Sequence, residues 1–345
     1  MLGEVFYWLF NMSLAASLVG LIVLGMVLCE IFSAVSLLRL YRRRFSGLRD
    51  RGEGEPRRVR ARRIAGIALP VSVTSLLGNL MGAANATLIP RKLVQGGMTR
   101  SQALSEFGIL CGMTMPMLAL PTVFLGAVNL VMVPGLARLA ALEQPERIRY
   151  QVQRAMTAVS VLILPSMAIM VILGPELADF IFREPKAGRW LLPLAVAMVF
   201  GSFRAVFNGI LNGIGKQGQS ALVCLLCDGV QLGFVFLVPQ PGVGMRAFVA
   251  GTVVSELLGA VMCARCVVKA TRTRLPVFQS VTAPALGALL AGLTGNLLFR
   301  YLKDSGVSAL PAGMAVCTYT LVLYLAALQA QGVPLRQTFG RNVRN

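Results

Sequence analysis

"SFRAVFNGILNGIGKQGQSALVCLLCDGVQLGFVFLV" (residues 202–238) reads as two apolar segments joined by a short polar turn around residues 215–219. As helices, segments of about twenty residues reach about 30 Å, the thickness of a bilayer's hydrocarbon. Yet the stretch also holds Arg204, Asn208, Asn212 and Asp228. Apolar blocks of similar length recur on either side, over residues 13–38, 64–89, 107–136, 155–174, 190–211, 219–238, 246–266, 281–299 and 309–331. The 345-residue chain is 56% hydrophobic and 14% charged, where soluble domains carry about 25% charged residues. Too little charge is left to cover a water-facing surface. The blocks also exceed the roughly ten-residue strands of a membrane barrel. These features predict an all-α polytopic membrane protein with nine spans. The third, with Pro116, Pro121 and Pro134, is expected to be kinked.

The net charge of +19 is concentrated in the short connections between blocks. This pattern fits topology signals and contacts to anionic lipid better than it fits nucleic acid. Taking alternate connections together, one side holds 23 Lys and Arg residues and the other 9. Basic residues favour the cytoplasm, so the N-terminus is expected outside and the C-terminus inside a bacterial cell membrane. The strongest anchor is "RLYRRRFSGLRDRGEGEPRRVRARR" (residues 39–63), expected as a flexible cytoplasmic linker that touches anionic headgroups.

Charges in mid-span are costly and usually face a cavity or one another. Arg204, Asp228 and Glu256 lie about 10, 14 and 15 Å from the cytoplasmic ends of consecutive spans, at 1.5 Å per residue. That is close enough for an ion-paired cluster if the helices are neighbours. Together they sum to minus one, with either acid a candidate counter-ion and the other left for a proton or cation. Arg204, Asn208 and Asn212 recur every four residues and share one helix face, directed toward Lys216. The second span carries its own polar series, including Asn79 and Asn85, candidates to line a cavity. Two readings stand for these groups: hydrogen-bonded glue between helices, or a site where a guanidinium grips a phosphate or carboxylate.

The chain has no histidine, which excludes histidine bases and histidine-bearing zinc sites. Cys224/Cys227 and Cys263/Cys266 form two CxxC pairs, a metal spacing if they lay in loops. Inside apolar spans they read instead as small packing residues. No nucleophile–base pair or phosphate loop is visible, so neither an enzyme nor a cofactor nor a metal is expected. Gly78/Gly82, Gly108/Gly112, Gly209/Gly213 and Gly229/Gly233 have GxxxG spacing. In a glycine-rich chain this number is what chance gives, though the spacing permits close helix packing.

Residues 67–139, "IALPVSVTSLLGNLMGAANATLIPRKLVQGGMTRSQALSEFGILCGMTMPMLALPTVFLGAVNLVMVPGLARL", resemble the stage V sporulation protein B group. These are polysaccharide-flippase-like members of the multidrug/oligosaccharidyl-lipid/polysaccharide exporter superfamily. "LCEIFSAVSLLRLYRRR" (residues 28–44) and "FNGILNGIGKQ" (residues 207–217) extend the resemblance over nearly all of residues 13–331. It implies a fourteen-helix fold of two six-helix lobes and a trailing pair. The segment 1–40 then resembles helix six, 41–63 the basic linker, 64–270 the second lobe, 271–331 the final pair and 332–345 a cytoplasmic tail. Helices one to five have no counterpart in these residues, so the chain is expected to be N-terminally shortened, with a separate first-lobe chain as a further partner.

The function so implied is flipping of a lipid-linked oligosaccharide or peptidoglycan precursor in cell-wall or spore-cortex polysaccharide synthesis. Arg204, Asn208 and Asn212 would hold the headgroup pyrophosphate, and Asp228 and Glu256 would couple protons or cations. That assignment rests on chemistry and depth, not on a family motif. The alternatives are a cation-coupled multidrug-type exporter and a non-transporting remnant or scaffold.

Overall fold

The structure, a computed structural model, describes residues 2–45, 56–240, 243–273, 276 and 278–332. Among these it is helical without a strand, and eight helical stretches are long and apolar enough to cross a membrane. The chain divides into two compact units, Met1–Arg62 and Arg63–Asn345. In the first, α1 (Leu2–Phe45) carries the spanning stretch Val23–Arg44 and ends on Arg42, Arg43 and Arg44. Cations there complement the negative end of the helix dipole. Helix α2 (Arg57–Gln95) takes up again after the basic segment. The expected linker 41–63 is therefore helical at both margins, while residues 46–55 and the tail 333–345 lie outside the described residues.

The expected span 64–89 lies on α2 but is not among the eight. Ser72, Ser75, Asn79 and Asn85 dilute its apolar character. The remaining spans follow the expected blocks closely. They are α6 (Pro145–Phe182), α7 (Leu191–Gly213), α8 (Gln217–Val235), α9 (Met245–Thr271), α10 (Ala283–Asp304) and α11 (Ala309–Ala330), preceded by a composite crossing over Arg100–Ala141.

That composite crossing is the kinked third span. Thr99 caps α3 (Arg100–Ile109) reciprocally with Gln102, whose side chain accepts from the Thr99 backbone. A π turn (Leu110–Thr114) leads into α4 (Met115–Ala119), and a 3-10 turn (Leu120–Thr122) into α5 (Val123–Ala141). Proline lacks an N–H and its ring pushes on the carbonyl one turn back, so Pro116 and Pro121 disrupt the regular ladder. Thr114, fully buried, covers part of the defect by donating to the carbonyls of Ile109 (3.3 Å) and Ala187 (2.9 Å).

Helix α7 is the hub of the larger unit and packs against α5, α6, α8 and α9. The main apolar cluster joins these helices through buried side chains such as Ile163, Leu194, Ile210 and Val223. Lipid is as apolar as these side chains, so close packing rather than escape from water must hold the helices together. The glycines show where this matters. A Cβ on Gly209 would stand 2.5 Å from Asn129 Oδ1, and one on Gly213 2.9 Å from Leu136 Cβ, both on α5. The other three GxxxG pairs face open space. Helices α10 and α11 pack on each other and on α6. Their joint is polar: Tyr324 donates to the Ser160 carbonyl (3.2 Å), Ser160 Oγ to the Ser280 carbonyl, and the Thr157 and Ser280 hydroxyls lie 3.0 Å apart.

Candidate functional site

The site is built where α7, α8 and α9 meet. Arg204 Nε donates to Glu256 Oε2 and Nη2 to Oε1, each at 2.7 Å, a two-pronged pair between facing helices. The geometry matches a planar guanidinium against a planar carboxylate, the strongest form of charge-assisted hydrogen bond. The two side chains are 25% and 20% exposed, so the pair is neither sealed in the core nor spread on the surface.

Two glycines make room for it. A Cβ on Gly259 would stand 2.3 Å from Arg204 Cδ, and one on Gly201 3.0 Å from Glu256 Oε2. Gly201 faces Glu256, Arg204 faces Gly259, and Asn208 faces Cys263. This constant register means that α7 and α9 pack directly on each other and run parallel, with α8 returning antiparallel to both.

Asn208 lies one turn along α7 and uses both ends of its amide. Its Nδ2 donates to Cys224 Sγ (3.5 Å), and its Oδ1 accepts from Ser220 Oγ and Cys263 Sγ, both at 3.0 Å. Arg204 Nη1 also points at Cys224 Sγ, at 3.8 Å. A thiol sulfur is a weak acceptor, so this edge of the guanidinium keeps donor capacity for an incoming anion. Asp228 follows Cys227, whose carbonyl accepts from Ser255 Oγ (3.0 Å) one residue before Glu256. It therefore sits level with the pair and interacts electrostatically with both of its members. Among the described residues it makes neither a salt bridge nor a hydrogen bond. Further along the seam, Gln231 Nε2 bonds Thr252 Oγ1 (3.2 Å) and the Phe248 carbonyl (3.3 Å).

Of the residues singled out in the sequence, the structure joins Arg204 to Glu256 and, through Cys224, to Asn208, with Asp228 level with them but bonded to none among the described residues. Asn212 stands apart: its carbonyl accepts from Gln217 Nε2 (3.2 Å) at the end of α7. Asn79 and Asn85 are on α2, Asn79 exposed and Asn85 with a buried Oδ1 that has no partner among the described residues. Ser220, Cys224 and Cys263 were not marked in advance as partners of Asn208. Ser220 and Cys224 are four residues apart on α8, a spacing that already placed them on one face. Asn129 on α5 was also missed; its Nδ2 donates to the Ala205 carbonyl (3.4 Å). Cys227 and Cys263 are packed into the main apolar cluster. Among the described residues no three Cys, Asp or Glu side chains gather as a metal site would require.

No protein-family profile and no solved structure matches the chain. Over 199 residues it is 22% identical to stage V sporulation protein B of Bacillus subtilis (strain 168), covering 56% of this chain and 38% of that protein. The chain thus spans less than half the length of this relative, and the matched stretch is shorter than the expected 13–331. With that similarity, and with its helices long and apolar enough to span a bilayer, the chain is a multi-pass membrane protein distantly related to stage V sporulation protein B.

Proposed function

We propose that this chain is the second lobe and trailing helix pair of a flippase for lipid-linked saccharides, with its N-terminus outside and its C-terminus in the cytoplasm. The observation that carries the reading is the two-pronged Arg204–Glu256 pair, set in mid-helix between α7 and α9 with one edge of the guanidinium held only by a thiol. A diphosphate offers a guanidinium the same paired oxygens as a carboxylate. It can therefore take the place of Glu256 once that carboxylate is neutralised by a proton or cation. Loss of the proton restores the internal pair and expels the headgroup. Asp228, level with the pair, supplies a second carboxylate for the coupling ion, and Asn208 and Asn212 extend the polar face toward Lys216. The substrate, a lipid-linked oligosaccharide or peptidoglycan precursor, is one that cell-wall or spore-cortex synthesis consumes. The basic stretch 39–63 rests on anionic headgroups, and a first-lobe chain would supply the facing wall.

The test is equilibrium binding of a short-chain polyprenyl-diphosphate disaccharide to the purified chain in lipid nanodiscs. Arg204→Ala is expected to weaken binding at least about ten-fold, or about 1.4 kcal/mol. Glu256→Gln, which imitates the neutral acid, is expected to bind at least as tightly as the parent. Unchanged affinity in a folded Arg204→Ala protein would rule out the headgroup role.

A further inference from the structure

A groove of about 550 Å³ runs between α7 and α10 with α6 as its floor, and none of Arg204, Asp228 or Glu256 lines it. Its walls are apolar side chains that point outward, Leu192 on α7 and Leu293 on α10 among them. Its floor runs along α6 from Leu164 through Ala168 to Pro175. Gly292 brings α10 so close to α6 that an added Cβ would stand 3.3 Å from Ala168 Cβ. One end is different: there the lining turns polar, with Asn296 and then Arg300. Arg300 is exposed and is the charged residue among those lining the groove. It makes no ion pair or hydrogen bond among the described residues, whereas Lys303, nearly one turn on, is already paired with Glu176 of α6.

The chemistry of the groove narrows the occupant. From Ala285 to Asn296 its apolar part covers eleven steps along α10, about 16 Å. An apolar length that ends at a single cation complements an amphiphile with one anionic headgroup. An extended acyl chain lying there puts that headgroup beside a guanidinium without a partner among the described residues, the group best suited to a phosphate.

We propose that this groove holds one anionic phospholipid, its acyl chain along α10 against α6 and its phosphate on Arg300, with the Asn296 amide beside it. The lipid ties the trailing helix pair to the body of the protein. The site is independent of any saccharide substrate, since it shares no residue with the Arg204 cluster.

Native mass spectrometry of the purified full chain in detergent tests this, with phosphatidylglycerol and phosphatidylcholine of matched chains as probes. The parent is expected to retain one phosphatidylglycerol several-fold more often than phosphatidylcholine. Arg300→Gln, at an exposed position, should remove the preference without shifting the melting temperature in detergent. Ala285→Leu, which fills the inner end, should lower retention of both lipids several-fold. Lys303→Gln, at the same end but outside the groove, should change neither. Equal retention of the two lipids by the parent, or an undiminished preference in Arg300→Gln, would overturn the proposal. So would parental occupancy in Ala285→Leu, because the chain would then lie elsewhere.

Discussion

Removing the carboxylate of Glu256 strands the Arg204 guanidinium in the apolar seam, whereas removing both charges strands nothing. Breaking a buried pair from one side costs about 3–5 kcal/mol, and replacing both members with apolar residues of similar volume is often neutral. Because Arg204 is 25% exposed, the low end applies, about 3 kcal/mol for Glu256→Ala. The double variant Arg204→Met/Glu256→Leu is expected to return to within about 1 kcal/mol of the parent. Unfolding by dodecyl sulfate in mixed micelles measures both. A double variant that stays stable but no longer binds the disaccharide probe would show that the charges serve the ligand and not the fold. A double variant as unstable as Glu256→Ala would make the pair structural. That Arg204 and Glu256 would need partners was legible in the sequence, because charges deep in apolar blocks are conspicuous. Which acid would pair was not, since Asp228 and Glu256 lie at nearly equal depth. The choice comes from the parallel register of α7 and α9, fixed by Gly201 and Gly259, and no single-helix pattern reveals it.

Helix pairs test the same logic through their glycines. A Cβ on Gly213 would stand 2.9 Å from Leu136 Cβ and 3.1 Å from the Val133 carbonyl oxygen on α5, and backbone cannot step aside as a side chain can. Gly213→Ala should therefore destabilise by about 1–3 kcal/mol, the usual cost of overpacking. Gly229, in an identical motif on α8, faces open space. There alanine should be neutral or stabilising by up to about 1 kcal/mol, through helix propensity alone. Equal effects at the two sites in the same micelle assay would refute this reading of the packing. Thr114→Val offers a third check at this scale. It deletes the donor to the Ala187 carbonyl and should cost about 1 kcal/mol. The kink of the third span was visible in Pro116 and Pro121. Its form was not, because the wide turn at Leu110–Thr114 depends on Thr114 finding a carbonyl on a distant segment. Likewise, GxxxG spacing alone could not tell the packed pair from the three open ones.

For the whole molecule, hydropathy and loop charge carry most of what is visible beforehand. The expected 190–211 and 281–299 became α7 (Leu191–Gly213) and α10 (Ala283–Asp304), since length and apolar character are local properties. The seating of α10 and α11 on α6 was out of reach, because it turns on Ser160, Ser280 and Tyr324, ordinary residues until they meet. Orientation is the remaining global property, and it follows from the 23 to 9 division of Lys and Arg between the two sides. The connection after α10, at Ser305 and Gly306, should lie outside, and the turn between α7 and α8, at Gly215 and Lys216, in the cytoplasm. Alkaline phosphatase inserted at each turn of the full chain distinguishes them, being active only after export. Activity at Gly306 and silence at Gly215 is the expected pattern. In that orientation Arg300, at the polar end of its groove, lies at the outer surface, while the polar face from Arg204 to Asn212 runs toward Lys216 and the cytoplasm. The reverse pattern would put Arg300 inside and the Arg204 face outside, and would overturn the orientation proposed for the chain.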